Sequence, residues 1–506
     1  MSNFLSVVVG PAKMMRRRYW PLLMIYFAYG LSGFSAIALS FWQKEELGLS
    51  AEQLLAIAAW ASIPWTAKIL VGQFVDGVRL FGSRRRIYIF IGALFLLLGT
   101  LLLAGLAGRH GWVMWIGDEY RIWLLSSLCT AIGFVLQDVT ADTMTTEVVD
   151  RDHEIDGVLV ARLEADVKAE IATVQVLARI AIFSAIFMVS GLGGWLASKF
   201  AAESIFWFQL LIPLVSISGA LLVRLNPIPE SEIKPLNPVF IGGGVAFAVL
   251  SILIGSLGWQ YGQELIFVFS CLLIGGMLAL LLKNIAVDIR RPLVLTMLAI
   301  FFYRCSPPVG PGLNWFSIDV LGFDEIFFGI LAQIGAFTAI AVLWFMSDVI
   351  ARQALKKAML VIIVVETCLF LPDLMLYHGV HELLGVDART IALFDTAAIS
   401  PLSNIAMVLM LSLIAFHAPA GNRGTWFALA ASFMNLALTA SQIISKYFNQ
   451  WFVVAREVVD ESGEIIVAAD YSQLGSLLLL CMSWTFIVPL VAVIWLVKEP
   501  SGARQS

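Results

Sequence analysis

Apolar runs of about twenty residues, parted by short polar turns, recur along the chain from Trp20 to Val497. About 20 such residues are what an α-helix needs to cross a bilayer. Runs of this kind fall at 20–42, 52–76, 87–108, 121–149, 169–195 and 204–223. After a polar, Pro-containing stretch from Leu225 to Pro238 they resume at 239–258, 264–283, 292–316, 326–347, 357–377, 391–416, 424–448 and 474–497. The pattern therefore predicts fourteen spans. Composition points the same way: 60% of residues are hydrophobic, 13% are charged and the mean hydropathy is +0.89. That is more apolar surface than a soluble chain of 506 residues can bury, so the expectation is an all-α polytopic membrane protein.

The polar loops carry a repeat. The second run ends G-Q-F-V-D-G-V-R-L-F-G-S-R-R-R, with Asp76 ahead of Arg84, Arg85 and Arg86. The tenth ends M-S-D-V-I-A-R-Q-A-L-K-K, with Asp348 ahead of Lys356 and Lys357, at an offset of 272 residues. The same offset carries Trp20 to Pro292, so 20–223 and 292–497 read as two six-span units, with 239–283 as an inserted two-helix hairpin. Residues 1–19, 224–238 and 498–506 are then an N-terminal segment, a linker and a tail. Lys and Arg gather on the side of Arg16–Arg18, Arg84–Arg86 and Lys356–Lys357. The positive-inside rule assigns that side, and both termini with it, to the cytoplasm. There the repeated charges, Asp76 with Arg84, Arg85 and Arg86, and Asp348 with Lys356 and Lys357, read as a gate whose contacts latch one unit to the other and break when the units rock. Val7-Val8-Val9 is too short a core for a signal peptide, and three arginines follow it, so the first span is expected to stay as an uncleaved anchor.

Some charges fall where hydrocarbon should expel them. The stretch G-F-V-L-Q-D-V-T-A-D-T-M-T-T-E-V-V-D (133–150) sets Asp138 and Asp142 one turn apart on one helical face, with Thr145 continuing it. At about 1.5 Å per residue, Asp138 lies roughly 16 Å from the inner end of its span. An ionised Asp at mid-bilayer costs about 2.5–3.5 kcal/mol on insertion scales, so these acids are expected to face an interior cavity. Lys68 in I-P-W-T-A-K-I-L, Arg179 in V-Q-V-L-A-R-I-A and Arg304 in F-F-Y-R-C-S-P-P reach similar depth. One reading makes them fixed ion pairs, such as Asp138 with Arg179. The other makes Asp138 and Asp142 carriers of a transported proton, with a basic group receiving an anion. The repeat equivalents of the two acids are Met410 and Ile414. Charge confined to one unit favours the second reading.

Arg304 leads the candidate substrate-binding set. Pro307, Pro308, Gly310, Pro311 and Gly312 interrupt its helix, and broken helices expose backbone groups at transporter sites. Its planar fork suits a carboxylate. Lys68, Arg179 and Asn435 complete the set, although Asn435, like Asn404 and Gln442, is of the kind that bridges helices. Tyr26, Tyr29, Phe34, Trp65, Tyr303 and Trp315 offer ring faces to a flat solute.

Other chemistries are excluded. The five cysteines lie inside apolar runs and the five histidines in loops or at span ends, neither with metal-ligand spacing. No nucleophile–base pair marks an enzyme, no cofactor is implied, and scattered basic residues give no nucleic-acid face. The expected partners are a small-molecule substrate, protons and the lipid bilayer. Nothing in the sequence fixes the oligomeric state, and a monomer is the expectation. V-V-A-R-E-V-V-D-E-S-G-E-I-I-V within 449–473 reads as a small β-hairpin, and 157–170 as a surface amphipathic helix.

Several stretches taken in order, K-E-E-L-G-L-S-A-E-Q (44–53), P-W-T-A-K (64–68), G-Q-F-V-D (72–76), F-G-S-R-R-R-I-Y (81–88), D-V-T-A-D-T-M-T-T-E (138–147) and A-P-A-G-N-R-G-T-W-F-A-L-A-A-S-F-M-N (418–435), resemble the folate–biopterin transporter family of the major facilitator superfamily. Ile87 and Arg423 depart from the pattern, where that family usually has Pro and Glu, and the family's usual plan is twelve spans. The resemblance implies a major facilitator-type fold of two six-helix bundles, here with two extra central helices. It also implies transport of a folate or pteridine-like anion, proton-coupled and by alternating access, in the inner membrane of a bacterium. The alternatives are an exchanger or exporter of another amphiphilic metabolite on the same fold, and a non-transporting membrane assembly scaffold.

Overall fold

The computed structural model describes residues 15–497 apart from 84, 151, 156–157, 226–237, 258, 260, 284, 346–354, 418–422 and 460–464. Helix occupies every apolar run. Among the described residues nine helices are long and apolar enough to cross a membrane, or ten if the bent pair Ala51–Thr66 and Leu70–Gly77 forms one span. The total of fourteen remains the expectation from the sequence.

Breaks in the helices follow from their residues. Pro64 lies in the last turn of Ala51–Thr66 and has no N–H for the helical ladder, and the chain bends by 43° before continuing as Lys68–Gly77. The N-terminus of that first segment is fixed by a capping box between Ser50 and Gln53. Val287–Arg304 stops ahead of Pro307 and Pro308, and helix resumes at Pro311–Asp319 after Gly310, whose φ of +98° and ψ of −175° only glycine adopts without strain.

Glycines let the helices approach closely. A Cβ on Gly92 would stand 2.8 Å from the carbonyl oxygen of Gly133, and one on Gly133 would stand 2.7 Å from that of Gly92. Arg86–Ala107 and Glu119–Glu147 therefore meet backbone to backbone. The first unit meets the second through Glu164–Ala197 against Glu325–Phe345, and through Ala51–Thr66 against Arg423–Trp451. The hairpin Pro238–Leu257 and Gly262–Leu282 packs against both units: Ile274, Met277 and Leu282 share a buried cluster with Leu70 of the first and Leu293 and Leu429 of the second. Lys446 fastens it further, donating to Gln263 Oε1 at 3.2 Å and to the Glu264 carboxylate.

The expected amphipathic helix at 157–170 is not formed. Val158–Ala161 instead pairs antiparallel with Asp152–Ile155, because V-L-V-A offers strand-forming side chains to a partner one turn away, and helix begins at Glu164 as an extension of the fifth span. The expected hairpin at 449–473 is present as Val458–Val459 paired with Ile465–Val467, extended by a bridge between Ala455 and Asp470.

Candidate functional site

Asp138 and Asp142 converge on one cation. Lys68 opens the segment beyond the Pro64 bend, and its Nζ lies 2.5 Å from Asp138 Oδ2 and 2.9 Å from Asp142 Oδ2. The bend aims the lysine sideways into the Glu119–Glu147 helix instead of along its own axis. Tyr26 Oη donates to the free Asp142 oxygen at 2.8 Å. Arg179 stands within Coulombic reach of both acids and of Tyr26 and Tyr29. Among the described residues it forms no direct ion pair with either acid, so the pairing of Asp138 with Arg179 gives way to one with Lys68. Two acids and two bases share this layer. The Asp142 side chain is 37% exposed and that of Asp138 10%, so Asp142 is the one nearer the open space.

The second unit has its own buried charges, which corrects the view that charge is confined to the first. Tyr303 Oη donates to Glu366 Oε2 at 2.6 Å, and Arg304 stands beside this pair with its Nε buried and unbonded among the described residues. Glu366, in V-V-E-T-C-L-F, is with Asp373 one of two acids within the apolar run 357–377. The criterion that singles out Asp138 identifies it as well; comparing only the repeat positions of Asp138 and Asp142 overlooks it.

The chain break after Arg304 is present, but its carbonyls are not free. Ser441 Oγ donates to the Ser306 carbonyl at 2.9 Å, Ser445 Oγ to that of Pro308 at 2.6 Å, and Asn449 Nδ2 to that of Val309 at 3.0 Å. These side chains stand at i, i+4 and i+8 on Arg423–Trp451 and replace the helical ladder that the prolines remove. Asn435, on the same helix, donates to the Trp65 carbonyl at 3.0 Å beside the Pro64 bend. This bond bridges the two units, the helix-bridging role that such a residue type suggests.

The residues read as a gate are bonded close to home. Arg85 is 5% exposed and bonds Glu147 Oε1 through Nε at 2.9 Å and Nη2 at 2.5 Å, the Val75 carbonyl at 2.5 Å and Asp76 at 3.0 Å. Arg86 Nη2 donates to the Val223 carbonyl at 3.0 Å. In the second unit Lys356 Nζ donates to the carbonyls of Ile494 at 3.0 Å and Val497 at 2.7 Å, while Lys357 is exposed. Every one of these partners belongs to the same unit as its donor, so in this structure these contacts tie spans within a unit. Arg85 is the buried donor of this group, and the Val223, Ile494 and Val497 carbonyls stand at helix ends, where the helical ladder leaves them without a partner. Arg84 and Asp348 lie outside the described residues.

Polar contacts between the units lie from mid-depth to the opposite end of the bundle, around the 45–51 turn. Lys44 Nζ, buried, meets Asp319 Oδ1 at 2.5 Å, and Tyr471 donates to the other Asp319 oxygen. Arg456 Nη2 reaches the Leu47 carbonyl at 2.5 Å, Gln450 bonds Glu52, and Ser62 Oγ meets Thr439 Oγ1 at 2.8 Å. Sequence reading missed this set because span-end charges look like ordinary interfacial anchors until the partner helix is known.

Comparison with known proteins puts this geometry in a family. The family model described as the BT1 family matches residues 29–504. The chain belongs to the BT1 family. Among curated relatives of this BT1 chain, a protein named folate-biopterin transporter from Synechocystis sp. is 24% identical over 453 residues, covering 90% of this chain and 79% of that one. A probable folate-biopterin transporter 4 of Arabidopsis thaliana is 23% identical, with 84% and 87% covered. In fold, the BT1 chain is similar to a peptide transporter of the POT type (TM-score 0.63, 14% identity, 94% and 93% covered). It is also similar to the inward open xylose transporter XylE of E. coli (TM-score 0.54, 14% identity, 96% of each chain). The chain is thus a multi-pass membrane transporter on a major facilitator-type fold, and not an enzyme.

Proposed function

We propose that this protein is a proton-coupled secondary transporter that imports a folate or pteridine-like anion by alternating access, with both termini in the cytoplasm of a bacterium. One observation carries the coupling: a single ammonium, Lys68, is clamped by two carboxylates at 2.5 and 2.9 Å. Protonating Asp138 or Asp142 removes charge from that clamp and leaves Lys68 and Arg179 to meet the carboxylate of a solute. Losing the proton re-forms the clamp and expels the anion. Proton and substrate are coupled because the deprotonated acids and the substrate anion compete for the same cation, and proton binding to an acid removes its claim on that cation. Arg304 supplies the second-unit contact, with Glu366 held aside by the Tyr303 hydroxyl.

The cross-unit contacts around Lys44, Asp319 and Arg456 support a state sealed on the extracytoplasmic side. The named relatives support the solute class. The test is uptake of radiolabelled folate and biopterin into proteoliposomes, with and without an inward-acid gradient. Gradient-driven uptake should vanish in Asp138→Asn and Asp142→Asn proteins that remain folded, and Arg304→Gln should raise KM for the anion. Wild-type uptake indifferent to the gradient would remove proton coupling, and failure to take up either compound would remove the substrate class.

A further inference from the structure

A groove of about 660 Å³ runs along the inserted hairpin, away from the charged layer. Its walls come from Leu70 of the first unit, Leu272, Gly276 and Leu280 of the hairpin, and Arg290 on the helix Val287–Arg304 that leads into the second unit. Lys283, at the end of the hairpin, joins Arg290 at one end, and the remaining lining is apolar. Both basic side chains are exposed, as are Leu272 at 69% and Leu280 at 58%, so the groove opens on the surface that faces the bilayer. It is vacant at Gly276, where an added Cβ would meet nothing within 4 Å.

We infer that this groove binds one acidic phospholipid, its headgroup phosphate between Lys283 and Arg290 and an acyl chain along Leu272, Gly276 and Leu280. The dimensions fit a single leaflet: the stretch from Leu272 to Lys283 rises roughly 16 Å, and half of the hydrocarbon core is about 15 Å. Two cations at the rim of an apolar channel favour a net anionic headgroup over a zwitterionic one, which brings its own ammonium to the site. A free phosphate would use the cations and leave the channel without a role. The lipid would wedge the hairpin at a seam between units, beside Leu70, two residues beyond the clamped Lys68.

Native mass spectrometry of the intact protein, titrated with phosphatidylglycerol and with phosphatidylcholine of the same chains, tests this. The expected result is one tightly held phosphatidylglycerol, weakened on the order of thirtyfold in the Lys283→Gln/Arg290→Gln protein. Gly276→Trp, which fills the channel and leaves both cations, should abolish the same binding, and inorganic phosphate should not displace the lipid. Unchanged melting temperature and a single size-exclusion peak certify each variant as folded. Equal retention of the two lipids by the wild type would overturn the proposal. So would undiminished phosphatidylglycerol binding in either variant, or displacement of the lipid by phosphate.

Discussion

Lys68 illustrates how a residue's role depends on what surrounds it. In the sequence it is one of three basic residues at similar depth, each free to be a substrate contact or a structural cation. In the fold it is the counter-ion of two acids at once, and removing it leaves two largely buried carboxylates facing each other. Breaking a buried pair by deleting one partner costs about 3–5 kcal/mol, and the partial exposure of Asp142 sets the lower end as the expectation for Lys68→Ala. Thermal unfolding in detergent measures this, and adding Asp138→Asn to Lys68→Ala should restore part of the loss. A melting curve for Lys68→Ala equal to that of the wild type would show that the clamp contributes nothing to the fold. Asp138 and Asp142 are legible as buried because no turn residue ends their helix. Their partner is not, since Lys68, Arg179 and Arg304 lie at depths that sequence spacing does not separate.

At the scale of elements, prolines and glycines decide where helices break, and distant side chains decide whether a break is tolerated. The interruption at Pro307–Gly310 is visible in the sequence, but the stripe of Ser441, Ser445 and Asn449 that satisfies its carbonyls lies over a hundred residues away. Ser445→Ala should cost about 1–3 kcal/mol, the penalty for a buried polar group left unpaired. Gly310→Ala forces a side chain into a conformation only glycine adopts and against Asn449, at about 1–3 kcal/mol. Either loss is read as a lowered midpoint in thermal or denaturant unfolding. In the structure the fifth membrane-crossing stretch is Thr173–Ala197, and Glu170, just outside it, ties its helix to Tyr19 and Arg16 at the start of the chain and to Arg162 ahead of the same helix. Burial pushes its carboxyl upward, and bonds from the Tyr19 hydroxyl and the Arg162 guanidinium more than reverse this, leaving it below the ordinary 4.5. A carboxyl depressed in the folded state contributes stability above its ordinary value and loses it as pH falls through the folded value. Stability measured from pH 6 down to 3 should therefore fall more steeply in the wild type than in Glu170→Gln, and parallel curves would contradict the assignment.

Across the whole molecule, the two units touch through hydrogen-bonded and charged groups around the 45–51 turn, while the charges first read as a latch tie each unit to itself. Arg86 with the Val223 carbonyl and Lys356 with the Val497 carbonyl make the same kind of contact in the two units, basic residue to the end of the last span. In the proposed alternating-access cycle, opening the end around the 45–51 turn separates Lys44 from Asp319. Asp319→Asn weakens a charge-assisted contact by on the order of 1–3 kcal/mol, a roughly 5- to 150-fold shift toward the opened form. Spin labels at the exposed Gly48 and Glu457 would report it as a longer distance population, and an unchanged distance distribution would rule out this contact as the seal.

What the sequence by itself determined depends on contiguous residues, and even there V-L-V-A at 158–161 pairs as strand where helix was expected. The apolar runs mark where helix lies, because unsatisfied backbone is excluded from hydrocarbon. Pro307–Pro308 mark where a helix breaks, and the ordered motifs carried the family resemblance, whereas the bend after Pro64 falls inside 52–76, a run the sequence presents as unbroken. Only the tertiary structure decided pairing: Lys68 with both acids, Arg85 with Glu147, Lys44 with Asp319, and Glu366 with Tyr303. Each pair joins residues 60 or more positions apart on helices whose rotation and depth are fixed by packing, and short-range periodicity contains no information about either.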